Sequence, residues 1–171
     1  VPPSSCPAAA FSQTKEDHHA HQRVRHGIVS AILTIVLLGK PRGKQRPRVT
    51  RQGIAYTPKE TVHYETALKM EAAATMQREC SKPYQGPLKV SVSAFLPIAA
   101  SWSKKKRAAA LANLIRPTCK PDADNILKML DGLNGIVWGD DSQIVEAQVS
   151  KLYSDQPRLV VSVWELARWC G

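Results

Sequence analysis

Five aspartates, Asp122, Asp124, Asp131, Asp140 and Asp141, fall within twenty residues of a 171-residue chain whose formal charge is +10. Gathered carboxylates repel, so such a cluster needs a use. Either it caps and solubilises a helix, or it holds a divalent cation against a phosphate. Pro121 biases Lys120 towards extended backbone, and if Asp122 is still extended, Asp122 and Asp124 project to one side. Ile126, Met129, Leu130 and Leu133 recur at i, i+3, i+4 and i+7, which predicts a helix starting near Asp124 with Asp124 or Asn125 as N-cap. Lys128, one turn on, reaches back over the same edge. Gly132 and Asn134-Gly135 end the helix, and Ile136-Val137-Trp138 reads as a short strand. Gly139 then turns the chain into Asp140-Asp141. A helix start and a strand end joined by a tight return can bring three carboxylates together. Mg²⁺ asks for that: oxygen ligands, one or two carboxylates, retained waters and a substrate phosphate. Capping alone accounts for one or two of these aspartates and leaves Asp140-Asp141 without a role.

The elements around this stretch are strongly basic. Residues 1–120 hold 20 Lys/Arg against 6 Asp/Glu, a net of +14, whereas residues 121–171 hold 4 against 8, a net of −4. This division suits a protein that grips a polyanion with one part and sets acids beside it; a merely soluble basic protein is the plainer alternative. Lys40, Arg42, Lys44, Arg46, Arg48 and Arg51 follow one another without an acid, and Pro41 and Pro47 exclude a regular helix there. A loop with cations pointing outward is expected, contacting DNA phosphates rather than reading bases. Lys104, Lys105, Lys106 and Arg107 begin a short helix after Ser101-Trp102-Ser103, where they oppose the helix dipole; a DNA-facing role accounts for tolerating this. Trp102 packs under that helix or stacks on an unpaired base. Arg116 and Lys120 are placed to hold the phosphate being cut.

The remaining chain predicts one α+β domain over 28–171, a mixed β-sheet with helices packed on it, in the order β-(β)-α-β-α-α-β-β-β. Strands are expected at 29–38, 53–56, 88–96, 143–151 and 159–164. A long helix follows Thr57-Pro58-Lys59-Glu60, read as a capping box, and carries Tyr64, Leu68, Ala72 and Met76 as an apolar ladder. Residues 1–27, with four of the five histidines, lack apolar periodicity and are expected to be a disordered tail. The chain does not open on Met, as a processed, truncated or mispredicted start would explain. The apolar run 28–38 is too short to span a bilayer and lacks a cleavage site, so no membrane partner is expected. Cys6, Cys80, Cys119 and Cys170 are scattered without a CxxC pair, against a zinc site or disulfide framework and in keeping with a reducing cytosol.

Lys-Pro-Asp-x-Asp-Asn-x-x-Lys at 120–128, then Asp-x-Leu-Asn-Gly-x-x-Trp-x-Asp-Asp-x-Gln-Ile at 131–144, resembles the core of the RusA Holliday junction resolvases. Gly39-Lys40-Pro41-Arg42, Arg46-Pro47-Arg48, Ala55-Tyr56-Thr57-Pro58-Lys59, Lys82-Pro83-Tyr84 with Gly86-Pro87-Leu88, and Ser101-Trp102-Ser103-Lys104-Lys105-Lys106 extend the resemblance over about residues 30–165. It implies a RusA-like fold and an endodeoxyribonuclease, encoded largely by phages and prophages, that acts on four-way DNA junctions as a homodimer in the bacterial cytoplasm, at the nucleoid. It also implies Mg²⁺, with Mn²⁺ able to substitute, held by Asp122, Asp124 and Asp141. Asp140 is the weaker member, a fourth ligand or a support behind the other three; Lys128 steadies the transition state or orients an aspartate, and Asn125 fixes the helix start and orients a carboxylate. Without metal, one of the aspartates should retain its proton, and Mg²⁺ should raise the thermal midpoint. A DNA-binding module that has lost catalysis, and a phosphatase for small phosphates, are the alternatives from other classes.

Overall fold

The computed structural model describes residues 31–79 and 81–166. The expected tail, with its histidine tract, and three of the four cysteines lie outside them. Four strands form the main sheet: β1 (Leu33–Leu38), β4 (Leu88–Pro97), β5 (Ile144–Ser154) and β6 (Arg158–Glu165), in the order β1-β6-β4-β5. β6 runs antiparallel to both β1 and β4, and β5 runs parallel to β4. The sheet is therefore mixed, and with its helices the domain is α+β, as expected.

Alternation decides which face is covered. Leu88, Val90, Val92, Ala94 and Leu96 are buried along β4, while Lys89, Ser91, Ser93 and Phe95 between them are half-buried. Leu159, Val161 and Val163 continue that face on β6, and Leu33 and Ile35 on β1. Helix α1 (Lys59–Arg78) lies on it through Leu68, Ala72 and Met76, with Tyr64 at the margin. Burying one such aliphatic side chain contributes about 1.5–3 kcal/mol. The predicted ladder therefore faces the core. Its predicted capping box does not form: Pro58 is the N-cap, and no side chain bonds the first turn.

Two further expectations need correction. The helix after Pro121 is only five residues long, α3 (Ala123–Leu127), with Asp122 as N-cap, and it tightens into a 3₁₀ segment, Lys128–Leu133. Ile126, Met129, Leu130 and Leu133 are buried in both. Ile136-Val137-Trp138 does not form a strand: Ile136 and Val137 lie in a turn, and Trp138 makes only isolated β-bridges, with Tyr84 and Asn134. The Gly135 N–H donates to the Trp138 carbonyl at 2.7 Å, with Gly135 at φ +75°, a conformation glycine adopts freely. Val137 and Trp138 are fully buried, so the apolar run marks core rather than extended backbone. A small hairpin, β2 (Arg48–Val49) with β3 (Ala55–Tyr56), stands apart from the main sheet. α2 (Lys104–Leu111) completes the elements.

Candidate active site

An open cleft of about 710 Å³ runs between residues 40–46 and the start of α3. Lys40, Arg42, Lys44 and Arg46 lie on one wall; Lys120, Asp122, Asp124, Asn125 and Lys128 lie on the other. The basic loop and the aspartate motif, about eighty residues apart in sequence, thus face each other. Their junction is a close backbone contact. The Lys44 N–H donates to the Asn125 carbonyl at 2.8 Å. A Cβ on Gly43 would lie 2.8 Å from the Asn125 Cβ and 3.0 Å from the Pro121 Cβ, so only a glycine lets the two walls approach this closely.

The α3 wall is built by its helix start. The Lys120–Pro121 peptide is cis, and Asp122 is extended at φ −74°, ψ 151°. Its carbonyl accepts from Ile126 N–H at 3.1 Å, opening the helix, while its carboxylate caps no backbone group. The Asn125 side-chain amide donates to that carboxylate at 3.5 Å. Lys128 Nζ donates to Asp124 at 3.1 Å, one helical turn back. This hydrogen bond, outweighing partial burial, holds the exposed Asp124 carboxyl below the usual carboxylate range.

Asp140 and Asp141 stand elsewhere. Asp140 caps a single 3₁₀ turn, Asp141–Gln143, accepting from Ser142 N–H at 2.9 Å. Hydrogen bonding from the Ser142 side chain, and then from its backbone N–H, lowers the Asp140 pKa. Gln143 completes a capping box by accepting from the Gly139 and Asp140 N–H groups, and its amide donates to the Tyr84 and Gly86 carbonyls at 3.0 and 3.1 Å. Capping therefore does account for Asp140. Asp141 is exposed at the head of β5, and neither residue lines the cleft. Among the described residues, no three His, Cys, Asp or Glu side chains are grouped to hold a metal ion. Asp122 and Asp124 line one cleft, and Asp141 is not among its lining residues.

The cations divide as well. Arg42 pairs with Glu60, and Lys44 with Asp131 at 3.2 Å and Glu65 at 3.6 Å. Burial tends to lower the Lys44 pKa, but the two carboxylates outweigh it and hold the ammonium above the ordinary lysine value. These two residues fasten the loop to α1 and the 3₁₀ segment, a use the bare charge run does not reveal. Lys40, Arg46 and Lys120 line the cleft without an acidic partner among the described residues; Arg48, Arg51, Lys104, Lys105 and Arg116 are likewise unpaired there but lie beyond it. Lys106 Nζ sits 4.1 Å over the Trp102 ring, which meets Tyr153 edge-on at 5.1 Å. Trp102 is thus half-buried beneath α2 with one face already covered. Gly43 escapes sequence reading, its only signal being an uncharged small residue inside a cationic run.

No helix among the described residues is long and apolar enough to cross a membrane. The chain is 33% identical over 141 residues to the uncharacterised protein YqaN of Bacillus subtilis (strain 168), covering 79% of this chain and 97% of that protein. Residues 39–164 match the family model of endodeoxyribonuclease RusA, a span that includes both walls of the cleft and the Asp140-Asp141 turn. The chain belongs to the RusA family of endodeoxyribonucleases, which act on DNA junctions.

Proposed function

We propose that this protein is a Mg²⁺-dependent endonuclease that resolves four-way DNA junctions by paired hydrolytic nicks, one from each protomer of a homodimer. A single observation carries the reading: Asp122 and Asp124 share a cleft with an opposing wall of cations. The donors there suit Mg²⁺ or Mn²⁺, because they are carboxylate oxygens and no Cys or His lines the cleft. Asp122 and Asp124 would hold the ion, with Asp141, and Asp140 beside it, as the further ligands implied by resemblance. When bound, the metal supplies positive charge beside phosphorus and a more acidic water.

The chain's own residues do the rest. Lys40, Arg46 and Lys120 bind phosphates on either side of the scissile bond and hold the strand in register. Asn125 steadies the Asp122 carboxylate. Lys128 keeps Asp124 ionised and lies next to the oxygens on which charge accumulates as phosphorus is attacked. A water adds to phosphorus, the bond to the leaving sugar oxygen breaks, and that oxygen takes up a proton. Two such sites related by a two-fold axis match the approximate two-fold symmetry of a four-way junction.

The test is cleavage of a mobile synthetic junction with Mg²⁺, comparing wild type with Asp122→Asn. Loss of a direct metal ligand should exceed the 10- to 100-fold typical of outer partners, so a fall of about 100-fold or more is expected. Junction binding in Ca²⁺ should survive. An Asn variant that cuts like wild type removes Asp122 from the site; wild type that binds but cuts with no divalent ion favours an inactive junction-binding protein.

A further inference from the structure

The β2–β3 hairpin combines features that phosphate binding alone does not require. Residues 45–57 are exposed throughout, so no described part of the chain covers them. Within that stretch Val49 is 66%, Ile54 61% and Tyr56 46% exposed. The hairpin is nevertheless ordered by its own bonds. Thr50 N–H donates to the Ile54 carbonyl at 2.9 Å, Ile54 N–H to the Thr50 hydroxyl at 3.2 Å, and Gly53 turns the chain at φ +80°.

Register sorts the side chains. Arg48 pairs with Tyr56 and Val49 with Ala55. With a two-residue period, Ile54 shares the face of Arg48 and Tyr56. One face of the ribbon therefore presents a cation, an aliphatic side chain and an aromatic ring together. From Lys40 to Lys59 the chain carries no acid, so this apolar surface is set in a wholly positive frame. Arg46, two residues before β2, lines the cleft, which places the hairpin within about 7 Å of chain from it.

A continuous duplex offers such a face only phosphates and groove edges. A branch point offers bases whose stacking is interrupted, and unstacked bases are what aromatic and aliphatic side chains receive. We infer that the β2–β3 hairpin is a wedge that takes an unstacked base at the DNA branch point, with Tyr56 and Ile54 against the base and Arg48 on its phosphate. The inference rests on the junction-nuclease reading and adds to it the element that distinguishes a junction from a duplex.

The experiment places 2-aminopurine at the branch point of a synthetic four-way junction and titrates the full chain in Ca²⁺, so that cutting does not interfere. Affinities for that junction and for a linear duplex of the same sequence are measured in parallel for wild type, Tyr56→Ala, Ile54→Ser and Tyr56→Phe. Wild type should raise the fluorescence. Tyr56→Ala and Ile54→Ser should lose the rise and weaken junction binding about 5- to 150-fold, from the usual worth of one base–aromatic stack, with duplex binding little changed. Tyr56→Phe should keep both. Since these side chains are exposed, circular dichroism melts should match wild type. Junction and duplex affinities falling alike, or a fluorescence rise surviving both substitutions, overturns the wedge. So does a change in oligomeric state, or loss of binding to anionic lipid vesicles with junction binding intact, since the face would then serve a second copy or a membrane. Wild type that does not prefer the junction overturns the nuclease reading and the wedge with it.

Discussion

Replacing Gly43 by Ala would put a methyl group into the seam that joins the two walls of the cleft. The new Cβ would meet the Asn125 Cβ at 2.8 Å and the Pro121 Cβ at 3.0 Å, with the Asn125 carbonyl carbon at 3.2 Å. None is the free end of a flexible side chain, so relief requires the loop or the start of α3 to move by several tenths of an ångström. Overpacking of this kind costs about 1–3 kcal/mol. Gly43 is not in the left-handed region, so alanine also restricts the unfolded chain and returns about 0.4–1 kcal/mol. The net is a loss of about 1–2 kcal/mol, or a fall of roughly 3–8 °C in thermal midpoint for a domain of this size. Activity should suffer more than stability. The shift falls on Asn125 and Pro121, immediately beside both carboxylates, and a misplacement near 1 Å can cost about 100-fold in turnover. Single-turnover junction cleavage and a thermal melt on the same preparation provide the check. A variant with the wild-type midpoint and cleavage rate would refute the claim that Gly43 docks the basic loop on the catalytic segment.

Other perturbations probe single contacts. Burial pushes the Tyr64 hydroxyl up to about 12, opposed by the nearby Arg42 backbone and guanidinium, although no group among the described residues makes a well-formed hydrogen bond to it. Folding therefore favours the protonated phenol. Its contribution is complete below pH 10 and is lost as pH rises towards 12, at most about 2–3 kcal/mol. Denaturant unfolding of wild type and Tyr64→Phe at pH 8 and 11.5 should show the variant equal or slightly more stable at pH 8 and less sensitive to alkali; parallel curves would remove Tyr64 as the cause. Asp140→Ala should lower the thermal midpoint by a few degrees through loss of the cap, while Asp140→Asn should restore it, since Asn caps equally well. Equal midpoints for Ala and wild type would show that the cap contributes nothing. Lys44→Met should weaken junction cleavage without changing the salt slope of binding, because Lys44 is engaged with Asp131 and Glu65. A slope reduced by about one would place Lys44 on a phosphate instead.

The elements most readable in the sequence are those whose partner is simply the apolar interior. Alternation along β4 and the Tyr64–Met76 ladder of α1 report burial, and both lie where their periods require. The same rule misreads Ile136-Val137-Trp138, because a buried turn and a buried strand expose equally little apolar surface and differ only in backbone bonding. Thr57-Pro58-Lys59-Glu60 carries the residues of a capping box without forming one, since the helix starts at Lys59 with Pro58 as its cap.

The inventory was legible before folding: a carboxylate pair ahead of a short helix, a lysine one turn on, and a run of cations with no acid among them. Residue type and local spacing suffice for that, because helix starts and one-turn contacts such as Lys128–Asp124 span only a few residues. Tertiary structure alone decided which cations face the cleft, which are tied to Glu60, Glu65 and Asp131, and that Asp140 serves as a cap. Those outcomes depend on contacts between segments tens of residues apart, where packing sets the distance and no local periodicity records it.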